Sequence, residues 1–425
     1  MDSEILHSDL MHLIGAALFA LALLHTFGAK YFEVLAHRHP RHAGLLHLLG
    51  EVEVVFGFWA FVLICAMALV AGGGKAIAYA ESLQYTEPLF VFVVMVIAAS
   101  RPVLHTVQGT LQTLASAVPL HRSLTMAWLG LALVPLLGSL ITEPAAMTVA
   151  ALTLRELVFH RTMPERWKYA ALGVLFVNVS VGGTLTSYAA PPVLMVAQTW
   201  NWDSAFMLQT FGWKAALAVL VNATVLVGMM RRHLLVSPSQ TSATAPEVPT
   251  PTLVRLIHLG FLAAVVLLAH HPVLFLGLFL FFMGYTQAYA RYQSPLILKE
   301  GLLVGFFLAG LVVLGGMQRW WLQPIVAGLE PTTLFFGALA LTAITDNAAL
   351  TYLGSLIQGI SSASQYMLVA GAVAGGGLTV IANAPNPAGA ALLRQGFADE
   401  GIGTLGLLLG ALPPTIVAAS FFLLL

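Results

Sequence analysis

Asp346 and Asn347 stand side by side in an otherwise apolar stretch, AITDNAALTYLGSL (Ala343–Leu356), and Glu143 has a like setting in LITEPAAMTVAAL (Leu140–Leu152). A charge at the centre of a bilayer costs roughly 2.5 kcal/mol or more, so intramembrane carboxylates mark ion pathways and proton relays. Oxygen donors surround both: Thr142 and Thr345 precede them, GGTLTSYAAPP (Gly182–Pro192) supplies Thr186, and GGGLTVIANAPNPAG (Gly375–Gly389) supplies Thr379, Asn383 and Asn386. A carboxylate among neutral amide and hydroxyl oxygens suits a hard monovalent cation such as sodium. The same carboxylate, lone and buried, can take up a proton instead, because burial penalises its charged form. Competition of proton and cation for one carboxylate is the chemistry of antiport. Asp346 and Glu143 are thus the candidate cation ligands, and Asp346 ranks first because more neutral oxygens lie near it in sequence.

Those residues need elements that can hold them at membrane depth. The chain is 59% hydrophobic and 8% charged, with 18 basic and 18 acidic residues, and apolar runs of about 20 residues recur along it. The class is an all-α polytopic membrane protein. The basic residues form no stripe of the kind that a nucleic acid requires. Neither H-E-x-x-H nor G-x-S-x-G occurs, which removes the commonest intramembrane enzyme readings. No cofactor is expected beyond the transported sodium ion and proton. The N-terminus lacks a basic region before its first apolar run, so that run is expected to be a retained span. Cys65 is the single cysteine. His37, His39, His42 and His47 are dense but lack a fixed ligand spacing and read as a polar cytoplasmic loop; a pH-sensing role for them stays open.

The chain reads as two repeats, 1–230 and 253–425, joined by a Ser/Thr/Pro-rich cytoplasmic linker, 231–252. Residues 141–148 align without gaps to 344–351, with Pro144 opposite Asn347, and Gly182–Pro192 matches Gly375–Pro385. Each repeat is expected to hold about five crossings, one re-entrant hairpin bearing the carboxylate, and a long helix broken at Gly182 and Gly183 or at Gly375, Gly376, Gly377 and Pro385. The expected spans include Glu87–Thr106 and the run Leu124–Leu140. With the hairpins returning to their own side, 15 of the 18 Lys and Arg fall on the cytoplasmic side, and only Lys75, Lys214 and Arg319 outside. The repeats then enter the membrane with opposite orientation, a plan used by secondary transporters.

The four motifs, TDNAALTYLG, GGGLTVIANAPNPAG, TEPAAMT and GGTLTSYAAPP, resemble those of the bacterial sodium/proton antiporters in the ion-transporter superfamily, which also holds arsenite and dicarboxylate carriers. The resemblance implies a multi-pass protein of the bacterial inner membrane and a transport region built from hairpins and broken helices. It also implies a homodimer and elevator-type movement. The alternative it leaves open is a carrier of an anion such as arsenite or an organic acid. The Ser-Asn-Thr tips of the dicarboxylate carriers are missing here, and acidic tips would repel a dianion.

Overall fold

A computed structural model describes residues 2–236, 249–398 and 401–425. The described residues are 81% helix with no strand. Residues 237–248 of the expected linker lie outside them, and so does the side chain of His37. The first residues of that linker are helical: one helix runs from Trp213 to Val236, and the next starts at Thr252.

Among the described residues, six helices are long and apolar enough to cross a membrane, or up to eight if each bent pair counts as one span. Ten crossings were expected, and local chemistry explains the difference. The run Glu87–Thr106 is divided between the helices Thr86–Ala98 and Arg101–Ala117, because Pro102 cannot continue a helix from its N-terminal side and starts a new one behind Ser100. The run Leu124–Leu140 falls in the helices Arg122–Leu131 and Leu133–Ile141, bent by 41°. Pro135 has no N–H to offer the carbonyl of Leu131, and Asn178 Nδ2 donates to that carbonyl instead at 2.8 Å. The helices Thr252–Leu267 and Pro272–Ala288 have 16 and 17 residues, short of the roughly 20 that a straight crossing needs.

The chain forms two compact units. The first comprises Met1–Phe92, Leu298–Leu329 and Tyr352–Ile360, and the second Val93–Ile297, Glu330–Thr351 and Ser361–Leu425. Each draws on both halves of the sequence. In the first unit, the helices Val52–Ala71 and Leu298–Gly315 cross where Gly310 lies on the backbone of Gly57. Small residues of this kind let helices approach closely in a membrane, where packing rather than the hydrophobic effect drives association. His25 belongs to the same unit: Trp59 Nε1 donates to its Nδ1 at 3.1 Å, and its Nε2 lies 2.8 Å from the Leu49 carbonyl, so the ring is a structural link.

In the second unit, eight helices carry the candidate residues: α1 (Leu133–Ile141), α2 (Glu143–Arg155), α3 (Glu165–Gly182), α4 (Pro191–Trp200), α5 (Pro331–Thr342), α6 (Asn347–Ser355, of which 347–351 fall in this unit), α7 (Ser362–Gly375) and α8 (Asn386–Leu393). α1 packs on α2 and on α3, and α5 packs on α7. Between α3 and α4, and again between α7 and α8, the chain leaves the α-helix for about eight to ten residues.

Candidate ion-binding site

The helix ends at the glycines need a physical reason, and left-handed backbone is not it. Gly182, Gly183 and Gly376 have φ of −66°, −71° and −63°, values open to any residue. Glycine is required by crowding. A Cβ on Gly182 would stand 2.7 Å from the Pro135 carbonyl oxygen, one on Gly183 2.5 Å from Glu143 Oε1, and one on Gly375 2.6 Å from the Leu339 carbonyl oxygen. On Gly376 it would overlap Ser180 Oγ, and on Gly377 the backbone of Val177. The sequence reading took these residues as helix breaks; the helices do end at Gly182 and Gly375, and the same glycines serve as close-packing surfaces. Positive φ occurs instead at Thr142, with φ 75°, between α1 and α2. That value is strained for a β-branched residue. It turns the chain so that α2 starts with Glu143 pointing into the protein.

Glu143 is completely buried. Among the described residues its one hydrogen-bond partner is Asn383, whose Nδ2 donates to Glu143 Oε2 at 2.7 Å across 240 residues of sequence. Glu143 Oε1 has no donor. Asp346 lies within electrostatic reach of Glu143, but its surroundings differ. It is half-buried, and its Oδ1 accepts from the backbone N–H groups of Ala348 at 2.8 Å and Ala349 at 3.2 Å. The first N–H groups of a helix have no partner within it, and an Asp just ahead of the helix is well placed to take them. Asp346 therefore caps α6. Glu143 lies inside the first turn of α2, one methylene longer, and reaches past the helix end to the other half of the chain. Of the two carboxylates, Glu143 is the more deeply buried, and it is the one that Asn383 meets.

The neutral residues divide between structure and site. Thr186 Oγ1 donates to the Ser139 carbonyl at 2.7 Å, and Thr379 Oγ1 to the Ala343 carbonyl at 2.9 Å, so both hydroxyls tie an unwound stretch to the end of a neighbouring helix. Asn386 Nδ2 donates to the carbonyls of Gly376 at 2.7 Å and Thr379 at 2.9 Å, which folds the 376–385 stretch back on itself. The backbone N–H of Asn347 donates to the Ala382 carbonyl at 3.1 Å, joining the start of α6 to the same stretch. Thr345 is half-buried, and Pro385 is buried beside Asn386. The carbonyl oxygens of the Asn347, Asn383 and Asn386 side chains are all buried without a donor, as is the hydroxyl of Thr142. Native proteins rarely leave such atoms unsatisfied. These are the atoms that a cation, which donates no hydrogen bond but attracts lone pairs, would satisfy.

Two serines escaped the sequence reading. Ser139 Oγ donates to the Gly182 carbonyl at 2.7 Å and accepts from the Leu185 N–H at 2.9 Å, clamping α1 to the end of α3. Ser180 Oγ donates to the Val373 carbonyl at 2.8 Å and lies 3.5 Å from Asn347 Nδ2, next to Gly376. Ser139 had a faint signal, since it aligns with Thr342 three residues before the paired Thr142 and Thr345. Ser139→Ala is expected to destabilise the protein by about 1–3 kcal/mol, because it strands the buried Gly182 carbonyl and the part-buried Leu185 N–H. Thermal unfolding in detergent measures this; an unchanged midpoint would show that the clamp contributes nothing.

No curated protein matches the chain. The profile of the family described as "Putative Na+/H+ antiporter" matches residues 10–425, nearly the whole length, and the chain belongs to that family.

Proposed function

We propose that the protein is a secondary active transporter of the bacterial inner membrane that exchanges sodium for protons at Glu143, with Asp346 as the second carboxylate. The observation that carries this reading is the Asn383–Glu143 hydrogen bond, which joins the two sequence halves at a buried carboxyl whose other oxygen, like three neighbouring amide oxygens, has no donor. A carboxylate so placed is neutralised by a proton or by a cation, and one species displaces the other. The family supports cation/proton transport. The Thr186 and Thr379 bonds, each to the end of the preceding repeat-equivalent helix, support an inverted repeat in which α1–α2 and α5–α6 are re-entrant hairpins. Elevator-type movement of the broken helices fits this plan. An anion carrier is disfavoured because four of the unpartnered atoms, Glu143 Oε1 and the Asn347, Asn383 and Asn386 amide oxygens, can only accept.

Proteoliposomes loaded with a pH dye test the proposal. External sodium is expected to raise the internal pH as protons leave, whereas arsenite and organic anions should not. A response to the anions alone would overturn the reading. Asn383→Ala should raise the apparent KM for sodium about tenfold, by removing one ligand and one charge-assisted hydrogen bond. Asp346→Asn should slow exchange without abolishing it, since Asn is nearly as good a helix cap as Asp. Complete loss of exchange in that variant, with the protein still folded, would return Asp346 to first place.

A further inference from the structure

Lys168, in the first turn of α3, counts in the sequence as one of the cytoplasmic basic residues, yet it is only 2% exposed. Lys168 Nζ donates to the Gly396 carbonyl at 2.6 Å and pairs with Glu165 Oε1 at 2.6 Å. It also stands 5.6 Å from the centre of the Phe397 ring. Glu165 Oε1 in turn accepts from the Ala398 N–H at 3.1 Å, and the Tyr169 hydroxyl accepts from the Gly403 N–H at 2.9 Å. The first turn of α3 thereby grips the chain just beyond α8 at several independent points. None of these residues belongs to the ion site.

α8 is the piece between the grip and the site. Eight residues of helix span about 12 Å and move as one rod. At one end Asn386 fastens the unwound stretch that bears Asn383. Along its length Gly389 lies against Met147 of α2 and Phe176 of α3. At the other end the chain passes through Arg394–Gly396 to the Lys168 contact. A buried ammonium held by a carbonyl and a carboxylate that is itself 42% exposed is not an economical way to close a turn, since desolvating the charge offsets much of the attraction. Its geometric effect is to fix the far end of α8.

We infer that Lys168 is a positioning residue for the ion site, holding α8 so that Asn383 meets Glu143. The inference rests on the antiport reading for its transport consequence, but not for its structural one. Physical reasoning also orders the variants. Lys168→Met removes the buried charge and leaves Glu165 partly solvated, whereas Glu165→Gln leaves the ammonium buried without its counter-charge and should loosen α8 more.

Hydrogen–deuterium exchange on the full-length protein tests the structural part. Amides of 386–393 are expected to exchange faster in Lys168→Met and faster still in Glu165→Gln, so that either variant that folds tests the inference. Unchanged exchange in both variants overturns the inference whether or not the protein transports sodium. In proteoliposomes, Lys168→Met should raise the apparent KM for sodium about tenfold, as displacement of a ligand does, with the maximal rate little changed. Combined with Asn383→Ala it should add no further loss, because both act through the same contact. Additive losses, or a fall in maximal rate alone, would make Lys168 a merely structural residue. If Asn383→Ala leaves the KM unchanged, the ion-site reading fails, and the exchange of α8 still decides whether Lys168 holds it.

Discussion

Glu143→Gln is expected to abolish sodium-driven proton movement, with the exchange rate falling by about two orders of magnitude or more, as when a proton-transferring group is lost. Gln keeps the length and shape of the side chain, and its carbonyl can still accept from Asn383 Nδ2. What disappears is the ability to titrate and the charge that attracts the cation. The variant should fold as well as the parent, because replacing a buried carboxyl by an amide of equal size leaves the packing against Gly183 intact. Thermal unfolding and the pH-dye assay, run on the same preparation, separate the two effects. Exchange at the parental rate would remove Glu143 from the mechanism.

The second large effect contrasts two glycines. At Gly183 an added Cβ meets the Glu143 side chain, with Oε1 at 2.5 Å and Cγ at 2.8 Å. A side chain can turn aside, so Gly183→Ala should leave a folded protein whose Glu143 no longer meets Asn383 and whose exchange is largely lost. At Gly377 the added Cβ would overlap the backbone N and Cα of Val177 in α3, which cannot turn aside. Gly377→Ala should therefore destabilise the fold, by about 1–3 kcal/mol or more, as overpacking of a tight contact does. The comparison needs thermal unfolding midpoints and sodium-dependent exchange for both variants. Equal stability loss in the two would mean that Gly183 serves the fold and not the carboxyl.

The membrane class was legible in composition, since 8% charge in a chain of this length cannot build a soluble surface. The position of the carboxylates was legible for the same reason: a lone Glu143 or Asp346 in an apolar run is conspicuous. Their partners were not. Sequence proximity placed Asn383 with Asp346, whereas folding gives Asn383 to Glu143, 240 residues away, and gives Asp346 the free N–H groups of its own helix. The glycines were legible as the places where helices end, but sequence cannot distinguish a glycine needed for its backbone freedom from one needed for its missing side chain. Gly376 and Gly377 are of the second kind, and their reason lies in Ser180 and Val177 of the other half. Lys168 looked like one more basic residue beside the membrane, and only its contact with Gly396, across 228 residues, shows that it is buried. The helix boundaries at Pro102 and Pro135 were not legible, because proline effects there act on single hydrogen bonds that hydropathy averages away.

One carboxyl shared by proton and cation makes a demand that no other arrangement makes in the same form: the two ions must compete. The direct measurement is the apparent KM for sodium in proteoliposomes across a series of pH values, with internal and external pH set equal. The account predicts that the KM rises about tenfold for each unit of acidification below the titration point of the site while the cation-saturated occupancy stays constant, because protons occupy the same oxygens. In Glu143→Gln it predicts no sodium-dependent exchange at any pH of the series. A sodium KM that stays flat across the titration range in an actively exchanging protein would contradict it.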